Sequence, residues 1–224
     1  GIAPVFARKL AAVAHGADLV IHTAEATRRD TEAHLARLGR VPPGIVAPLG
    51  VTPAAPARLP ARAAPYFVTI GTIEPRKNHA FLFEVWQRMI DHAAGDRVPL
   101  LYLVGARGWR NDAVFRLLDS SSLRDGPITE CASLPDRDMF ALMSGAAALL
   151  CPSREEGFGL PVLEARALGV PVICSPIPAF QELLPDDATM LETDDPKRWA
   201  DAVLAQLPAN TRQVSRVPTW QQHF

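Results

Sequence analysis

The chain has 224 residues, of which 48% are hydrophobic and 21% are charged, and its formal net charge at pH 7 is −1. This length can bury one α/β core, or one core and part of another. A balanced charge argues against a general nucleic-acid binder, because such proteins need a basic surface to displace counterions from phosphates. The composition therefore favours a globular protein that acts on small molecules.

The cysteines and the apolar segments bear on location. Cys131, Cys151 and Cys174 are an odd number without C-x-x-C spacing, so they predict reduced core thiols, not a disulfide framework or a zinc site. No apolar run has membrane-spanning length, and the first residues lack the charged start and apolar block of a secretion signal. We therefore expect a cytoplasmic protein, for which a peripheral contact with the inner membrane stays open.

The first elements predict the end of one domain and a junction. Residues 17–21 predict a strand, and a helical pattern follows through Leu38 until Gly39 ends it. Residues 42–65 are rich in proline and alanine, which favours an extended linker. We accordingly divide the chain into residues 1–41, a linker at 42–65, a main domain at 66–212 and a final helical start at 213–224.

A loop with two cations follows the first strand of the main domain. The strand ends at Ile70, residues 71–78 form the loop, and a helical pattern with Leu82 and Val85 comes next. Arg76 can make forked contacts to an anionic ligand, and Lys77 can act beside it as a point charge. Cations placed here would stabilise negative charge that grows on such a ligand during a reaction. An exposed basic pair without function is the alternative interpretation of these two residues.

A second loop lies between two further predicted strands. Residues 146–151 and 170–174 have strand patterns, and between them Pro161 suits the first position of a helix that Gly169 ends. Such a βαβ unit places its loop at the carboxyl end of the first strand, where α/β sheets bind ligands. Gly157 and Gly159 let the backbone turn tightly and come close to a ligand.

The second loop contains two candidate carboxylates. We expect Glu156 to lie in the loop and Glu164 to lie in the first helical turn. There the helix dipole would keep Glu164 ionised, as an acceptor for two hydroxyls such as those of a ribose. Taken singly, either glutamate could have a structural role only.

Two weaker signals lie outside these loops. Asp136 and Asp138 form a D-x-D pattern, but they directly precede a helical pattern, so helix capping is the better interpretation. His79 lies next to the cationic loop, where a capping role or a minor ligand role is conceivable. None of the histidines has the spacing of a metal site.

Several motifs in order resemble a known family. Pro152-Ser153, Glu-Gly-Phe-Gly-Leu-Pro at 156–161, Glu164-Ala165, residues 169–173 and Glu182 resemble the family 4 retaining glycosyltransferases, which have the GT-B fold. The resemblance runs from about residue 17 to about residue 202. It implies a Rossmann-like α/β fold, in which a parallel sheet carries helices on both faces and forms the carboxyl-terminal, donor-binding half of the enzyme.

The resemblance also implies a reaction and a set of residues. A sugar, with a leaning towards mannose, would pass with retained configuration from a nucleotide-diphosphate donor to a glycan or lipid-linked acceptor, in bacterial surface polysaccharide synthesis. No metal or other cofactor is implied. Glu156, Arg76 and Lys77 would be catalytic. The donor would contact Gly71, Thr72, Arg76, Lys77, Leu134, Glu156, Gly157, Phe158, Gly159, Leu160 and Glu164.

Within this set, Glu156 and the backbone amides of 157–160 would bind the sugar of the donor. Glu164 would bind its ribose, and Leu134 would contact its base. One position departs from the family pattern: many relatives have an arginine directly after the glycine that corresponds to Gly71, whereas this chain has Thr72. We expect Arg76 to take over its role. The acceptor pocket and a catalytic histidine would come from the first domain, of which residues 1–41 are a remnant.

Three alternatives stay open at this point. The chain could be a nucleotide-binding fragment with little activity of its own. A glycoside hydrolase would also use paired carboxylates, but one pKa must be raised, whereas we expect Glu164 to stay charged. A nicotinamide oxidoreductase is disfavoured because no G-x-G-x-x-G follows the first strand of the main domain.

Overall fold

Strands and helices alternate through most of the chain. The computed structural model describes residues 2–52, 65–92, 98–120, 126–184, 188–207 and 217–223. The strands are β1 (Val20–His22), β2 (Gly44–Val46), β3 (Tyr66–Ile70), β4 (Leu100–Val104), β5 (Ile128–Cys131), β6 (Leu149–Cys151), β7 (Val172–Cys174) and β8 (Ala188–Met190). The helices are α1 (Ile2–Gly16), α2 (Glu25–Ala36), α3 (His79–His92), α4 (Asp112–Asp119), α5 (Asp136–Gly145), α6 (Leu160–Ala167), α7 (Pro178–Leu183), α8 (Pro196–Ala205) and α9 (Trp220–His223).

The main domain is built on a parallel sheet of six strands in the order β5-β4-β3-β6-β7-β8. The chain moves outward from β3 through β4 to β5, then returns to the other side of β3 and continues outward from β6 to β8. The strand order therefore reverses between β3 and β6. In open α/β sheets, the carboxyl ends of the strands at such a switch point border the ligand crevice.

Both faces of the sheet are covered by helices, as the sequence predicts. On one face Phe67 of β3 packs edge-on against Trp86 of α3, with ring centroids 6.1 Å apart. On the other face its neighbour Val68 belongs to a cluster that includes Met143 of α5 and Val162 of α6. Because successive strand residues point to opposite faces, strands that are apolar on both sides require this double cover.

A second, smaller sheet lies before the main domain and corrects the predicted linker. In it β1 and β2 are parallel, with Ile21 opposite Ile45. Since β2 lies inside 42–65, the prediction that this whole segment is a linker is wrong. Prolines on both sides obscure a short apolar run, Ile45 and Val46, which pairs with a neighbouring strand. Residues 53–64 of the linker lie outside the described residues, as does the predicted boundary at 212.

Residues 50 and 51 of that segment touch the chain at the start of α9 and just before it. The Val51 N–H donates to the Pro218 carbonyl at 2.9 Å. A Cβ added to Gly50 would lie 2.1 Å from the Trp220 backbone nitrogen, so only glycine permits this approach. Segments far apart in sequence are thus in direct backbone contact.

The cysteines confirm the predicted free thiols, and the helices can be judged against what a membrane span requires. Cys131, Cys151 and Cys174 are free, and the last two are buried. Burial raises the pKa of the Cys174 thiol to about 12, so it stays protonated at neutral pH. None of the helices within the described ranges is both long enough and apolar enough to cross a membrane.

The close approach of the loop after β4 to the loop after β3 predicts that one added methyl group will lower the stability of the fold. Gly105 follows β4 with φ 153°, and an added Cβ would lie 2.1 Å from the Gly71 carbonyl oxygen. We expect Gly105→Ala to lower the free energy of unfolding by about 2 kcal/mol or more, measured by urea denaturation. The matched control is Gly16→Ala, where no atom lies within 4 Å of the added Cβ. Equal stability of the two variants would contradict the contact.

Candidate functional site

Two loops leave the sheet at the switch point and meet there. The first follows β3 and spans 71–78, and the second follows β6 and spans 152–159. A backbone hydrogen bond joins them, in which the Arg154 N–H donates to the Arg76 carbonyl at 2.8 Å. The two loops singled out from the sequence therefore form one structure at the carboxyl edge of the sheet.

The first loop has a backbone that turns its cations toward the second loop. Gly71 has φ 135°, which a side chain would disfavour. A 3-10 turn at Pro75–Lys77 then ends at Asn78, whose φ of 56° lies in the left-handed region that asparagine tolerates. This reversal starts α3 and leaves Arg76 and Lys77 in the turn, beside Glu156.

The centre of the site is the carboxylate of Glu156. Its Oε1 accepts from Lys77 Nζ at 2.6 Å and from Ser153 Oγ at 2.8 Å. Its Oε2 accepts from Arg76 Nη1 at 2.5 Å. Arg76 also contacts a second carboxylate, with its Nε 2.6 Å from Glu74 Oε1. The three residues predicted to be catalytic, Glu156, Arg76 and Lys77, are thus in direct contact.

These contacts control the charge of Glu156. Its side chain is only 7% exposed, while those of Lys77 and Arg76 are 13% and 42% exposed. Burial by itself would raise the pKa of Glu156, but Lys77, the Ser153 hydroxyl and Arg76 outweigh it and hold that pKa below its ordinary value. Glu156 is therefore ionised at neutral pH, and its charge is already paired with both cations.

Glu164 differs from the sequence prediction. Because α6 begins at Leu160, after Gly159 with φ 108°, Glu164 lies in the second turn and no acidic residue lies in the first. Burial and the nearby charge of Asp136 raise its pKa above the ordinary value. The prediction that Glu164 lies in the first turn is wrong, and the direction of its pKa shift is opposite to the one expected from the helix dipole.

The remaining predicted residues occupy different surroundings. Phe158 is buried in a cluster with Ala24, Val51 and Leu163, so its side chain is not exposed to a ligand. Leu134 is partly buried against the core, two residues before Asp136. The other predicted residues lie in or beside the two loops. Three of them are exposed, namely Thr72, Gly157 and Leu160, and Gly71 is partly buried.

Two polar side chains of the site are not predicted from the sequence. Glu74 pairs with Arg76, and Ser153 donates to Glu156. Both residues belong to the motifs described above, but the motifs alone assign no role to them. The available signal is their spacing: each polar side chain lies two or three residues before a charged site residue, within one tight turn.

The D-x-D pattern does not cap its helix in the predicted way. Asp136 and Asp138 lie in the first turn of α5, where the position before the helix is Pro135 and no side-chain capping hydrogen bond forms. Among the residues that the structure describes, no group of three or more His, Cys, Asp or Glu side chains is arranged to hold a metal ion.

His79 is a buried group next to the site. It is the first residue of α3, 2% exposed, and its Nδ1 has no hydrogen-bond partner within the described part of the chain. Burial, and secondarily the charge of Lys77, lower the pKa of His79 to about 4. A neutral imidazole at this position avoids placing a third positive charge beside Arg76 and Lys77.

This pKa predicts a loss of stability in mild acid. In the unfolded chain His79 takes up a proton below its ordinary pKa of 6.5, whereas in the folded chain it does so only near 4. The free energy of unfolding should therefore fall as pH drops through this window, by about 3 kcal/mol at most from this residue. Urea denaturation from pH 7 to pH 4 measures the slope.

The test compares two histidine variants. His79→Gln should flatten the dependence on pH, because the titrating group is gone. His34→Gln removes an exposed histidine of α2 and should retain the wild-type slope. An unchanged slope in His79→Gln would show that His79 does not titrate as inferred.

Solved structures share this fold. Sucrose-phosphate synthase from Thermosynechococcus elongatus is similar with a TM-score of 0.70 and 23% identity, over 91% of this chain and 54% of that one. WaaG, a glycosyltransferase involved in lipopolysaccharide biosynthesis, is similar with a TM-score of 0.66 and 17% identity, over 84% and 53% of the two chains. The predicted fold, a Rossmann-like parallel sheet with helices on both faces as in the GT-B glycosyltransferases, is confirmed.

Sequence comparisons define the family. A profile of glycosyl transferases group 1 matches residues 64–208, which is more than half of the chain. The chain belongs to the group 1 glycosyl transferases, and the resemblance carried by the glutamate loop is confirmed.

Two curated relatives are mannosyltransferases of bacterial O-antigen chains. O-antigen chain mannosyltransferase B of Escherichia coli is 37% identical over 142 residues, which cover 63% of this chain and 35% of the relative. O-antigen chain mannosyltransferase RfbU of Salmonella typhimurium is 34% identical over 148 residues, which cover 64% and 39%. The chain therefore spans less than two fifths of the length of these two relatives.

Proposed function

We propose that this chain is the donor-binding part of a retaining glycosyltransferase that takes a sugar, mannose by preference, from a nucleoside diphosphate. The acceptor would be a glycan or a lipid-linked glycan, bound with the help of a preceding domain, in the synthesis of bacterial surface polysaccharide on the cytoplasmic side of the membrane. Membership of the family and the names of the relatives support the class of reaction.

One observation carries the proposal: two cations and a carboxylate meet at the switch point of the sheet. Lys77 and Arg76 approach Glu156 at 2.6 and 2.5 Å, and Glu156 lies three residues before Gly159, which directly precedes α6. A crevice in this position is where doubly wound sheets bind nucleotides, and cations with a helix amino terminus suit a diphosphate.

The geometry supports an exchange of anions as the binding step. The carboxylate of Glu156 is already paired with both cations, so a donor diphosphate would compete with it for Lys77 and Arg76. The diphosphate carries more negative charge and can therefore displace it. The released carboxylate would then be able to accept from the sugar hydroxyls, while the Ser153 hydroxyl keeps it near its present position.

The same cations would favour the chemical step. As the bond between the sugar and the diphosphate breaks, negative charge grows on the leaving phosphate, and fixed cations stabilise this change without reorganisation. We expect no divalent metal to be required, because Lys77, Arg76 and the amino end of α6 already supply positive potential there. Glu164 would accept from the ribose in its ionised form, and its raised pKa means that this contact is lost at a higher pH than an ordinary glutamate would lose it.

A second possibility is that the chain by itself binds nucleotide but transfers little sugar. It spans only part of its relatives, and the proposed acceptor pocket lies in another domain. Transfer assays with this chain alone would contradict this view if they showed efficient turnover.

The first test is calorimetry with GDP, UDP and ADP and with their sugar conjugates. We expect one base to be preferred and Lys77→Ala to weaken binding by roughly 1 to 3 kcal/mol, because a charge-assisted contact is lost. The control is Lys197→Ala, which removes an exposed lysine of α8 that pairs with Asp201 at 2.7 Å. If Lys77→Ala and Lys197→Ala bind equally well, the proposed site is wrong.

The second test examines the exchange of anions. Replacing Glu156 with Gln removes the competing charge, so the affinity for the nucleoside diphosphate without sugar should rise, by roughly 1 kcal/mol. Transfer of sugar by the complete enzyme should fall at the same time, because the proposed hydroxyl acceptor is weakened. Glu155→Gln, at the exposed neighbouring position, is the control. A loss of nucleotide affinity in Glu156→Gln would refute the exchange.

A further inference from the structure

We infer that Thr23 and Thr27 are positioning residues for the donor's sugar, acting through the peptide that follows Glu156. The inference rests on the proposed function, and it adds a role for the segment before the main domain. The Thr23 hydroxyl donates to the Gly157 carbonyl at 3.2 Å, and the Thr27 hydroxyl donates to the same oxygen at 2.5 Å. Two hydroxyls four residues apart in sequence thus hold a single carbonyl of the glutamate loop.

A second pair of hydrogen bonds fixes these threonines against the main domain. The carboxylate of Glu182, in α7, accepts from the Glu25 N–H at 2.8 Å and from the Ala26 N–H at 2.9 Å. These are amides of the first turn of α2, which the preceding Ala24 cannot cap with its own side chain. Glu182 therefore provides the missing cap from a distant part of the chain.

Apolar contacts complete the attachment. Ala24 is fully buried in a cluster with Phe158, Leu163 and Val51. The side chain of Phe158, the residue after Gly157, is thus packed below the start of α2. Four hydrogen bonds and this cluster join the first segment to the glutamate loop and to α7.

The threonines matter because they hold an open part of the loop. Gly157 is exposed, and no atom would lie within 4 Å of a Cβ added to it. Its carbonyl and the Phe158 N–H belong to one planar trans peptide, in which they point in opposite directions. Holding the carbonyl toward Thr23 and Thr27 therefore directs the Phe158 N–H away from α2. That amide is one of those proposed to meet the sugar hydroxyls.

The role predicts a specific pattern of affinities. The nucleoside diphosphate contacts the cations, whereas the sugar contacts the amides of 157–160. A Thr23→Val, Thr27→Val double variant keeps the side-chain shape but removes both hydroxyls. We expect it to retain the wild-type affinity for GDP, UDP or ADP, and to lose roughly tenfold in affinity for the corresponding sugar conjugate. Restoring one hydroxyl, in Thr23→Val, Thr27→Ser, should recover most of the loss.

The experiment is calorimetry on the intact chain with each diphosphate and its mannose or glucose conjugate, together with hydrogen exchange of the loop amides without ligand. Thr31→Val, one turn further along α2, is the matched control. Faster exchange at 157–160 with a selective loss of sugar affinity supports the inference. Wild-type selectivity in the double variant overturns it, whatever the exchange rates. A wild-type chain that binds no sugar conjugate overturns the proposed function as well, so the two failures are distinguishable.

Discussion

The contact of Glu156 with Lys77 and Arg76 is the constraint on which the site depends. A carboxylate that is 7% exposed would be costly to ionise without partners, and these two cations provide them. The contact can form only because β6 lies next to β3, so that loops 80 residues apart in sequence share one edge. The positive charges of Lys77 and Arg76 are already balanced by the carboxylates of Glu156 and Glu74. Any anionic ligand must therefore take over existing contacts, and its affinity is the difference between two sets of ion pairs.

Most of the sheet and both loops could be predicted from the sequence, because buried parallel strands appear as short apolar runs and the loops between them carry the polar residues. The direct pairing of Glu156 with Lys77 could not, since it depends on which strands are neighbours in the sheet. β2 was missed because its two apolar residues lie among prolines. Glu164 lies in the second turn of α6, not the first, because the helix starts at Leu160 and not at Pro161. Its raised pKa could not be predicted, since it depends on burial and on Asp136, which is distant in sequence.

Three glutamates of the same segment show how environment decides the chemistry of one side chain. Glu156 is held ionised by cations, and Glu164 is pushed toward its neutral form by burial. Glu182 is satisfied by two backbone amides of α2. The sequence resemblance groups all three as family features, yet it does not distinguish these roles. Glu182, which lies outside the predicted site, ties the first segment of the chain to the domain whose loop contains Glu156.

The backbone contact of Val51 with Pro218 has an evolutionary consequence. It brings the entry and the exit of the main domain to one point, with Gly50 packed against Trp220. A unit whose two ends are neighbours can be exchanged between related proteins with little disturbance of what lies outside it. Recombination at this point could thus exchange the main domain and leave the segments outside it in place.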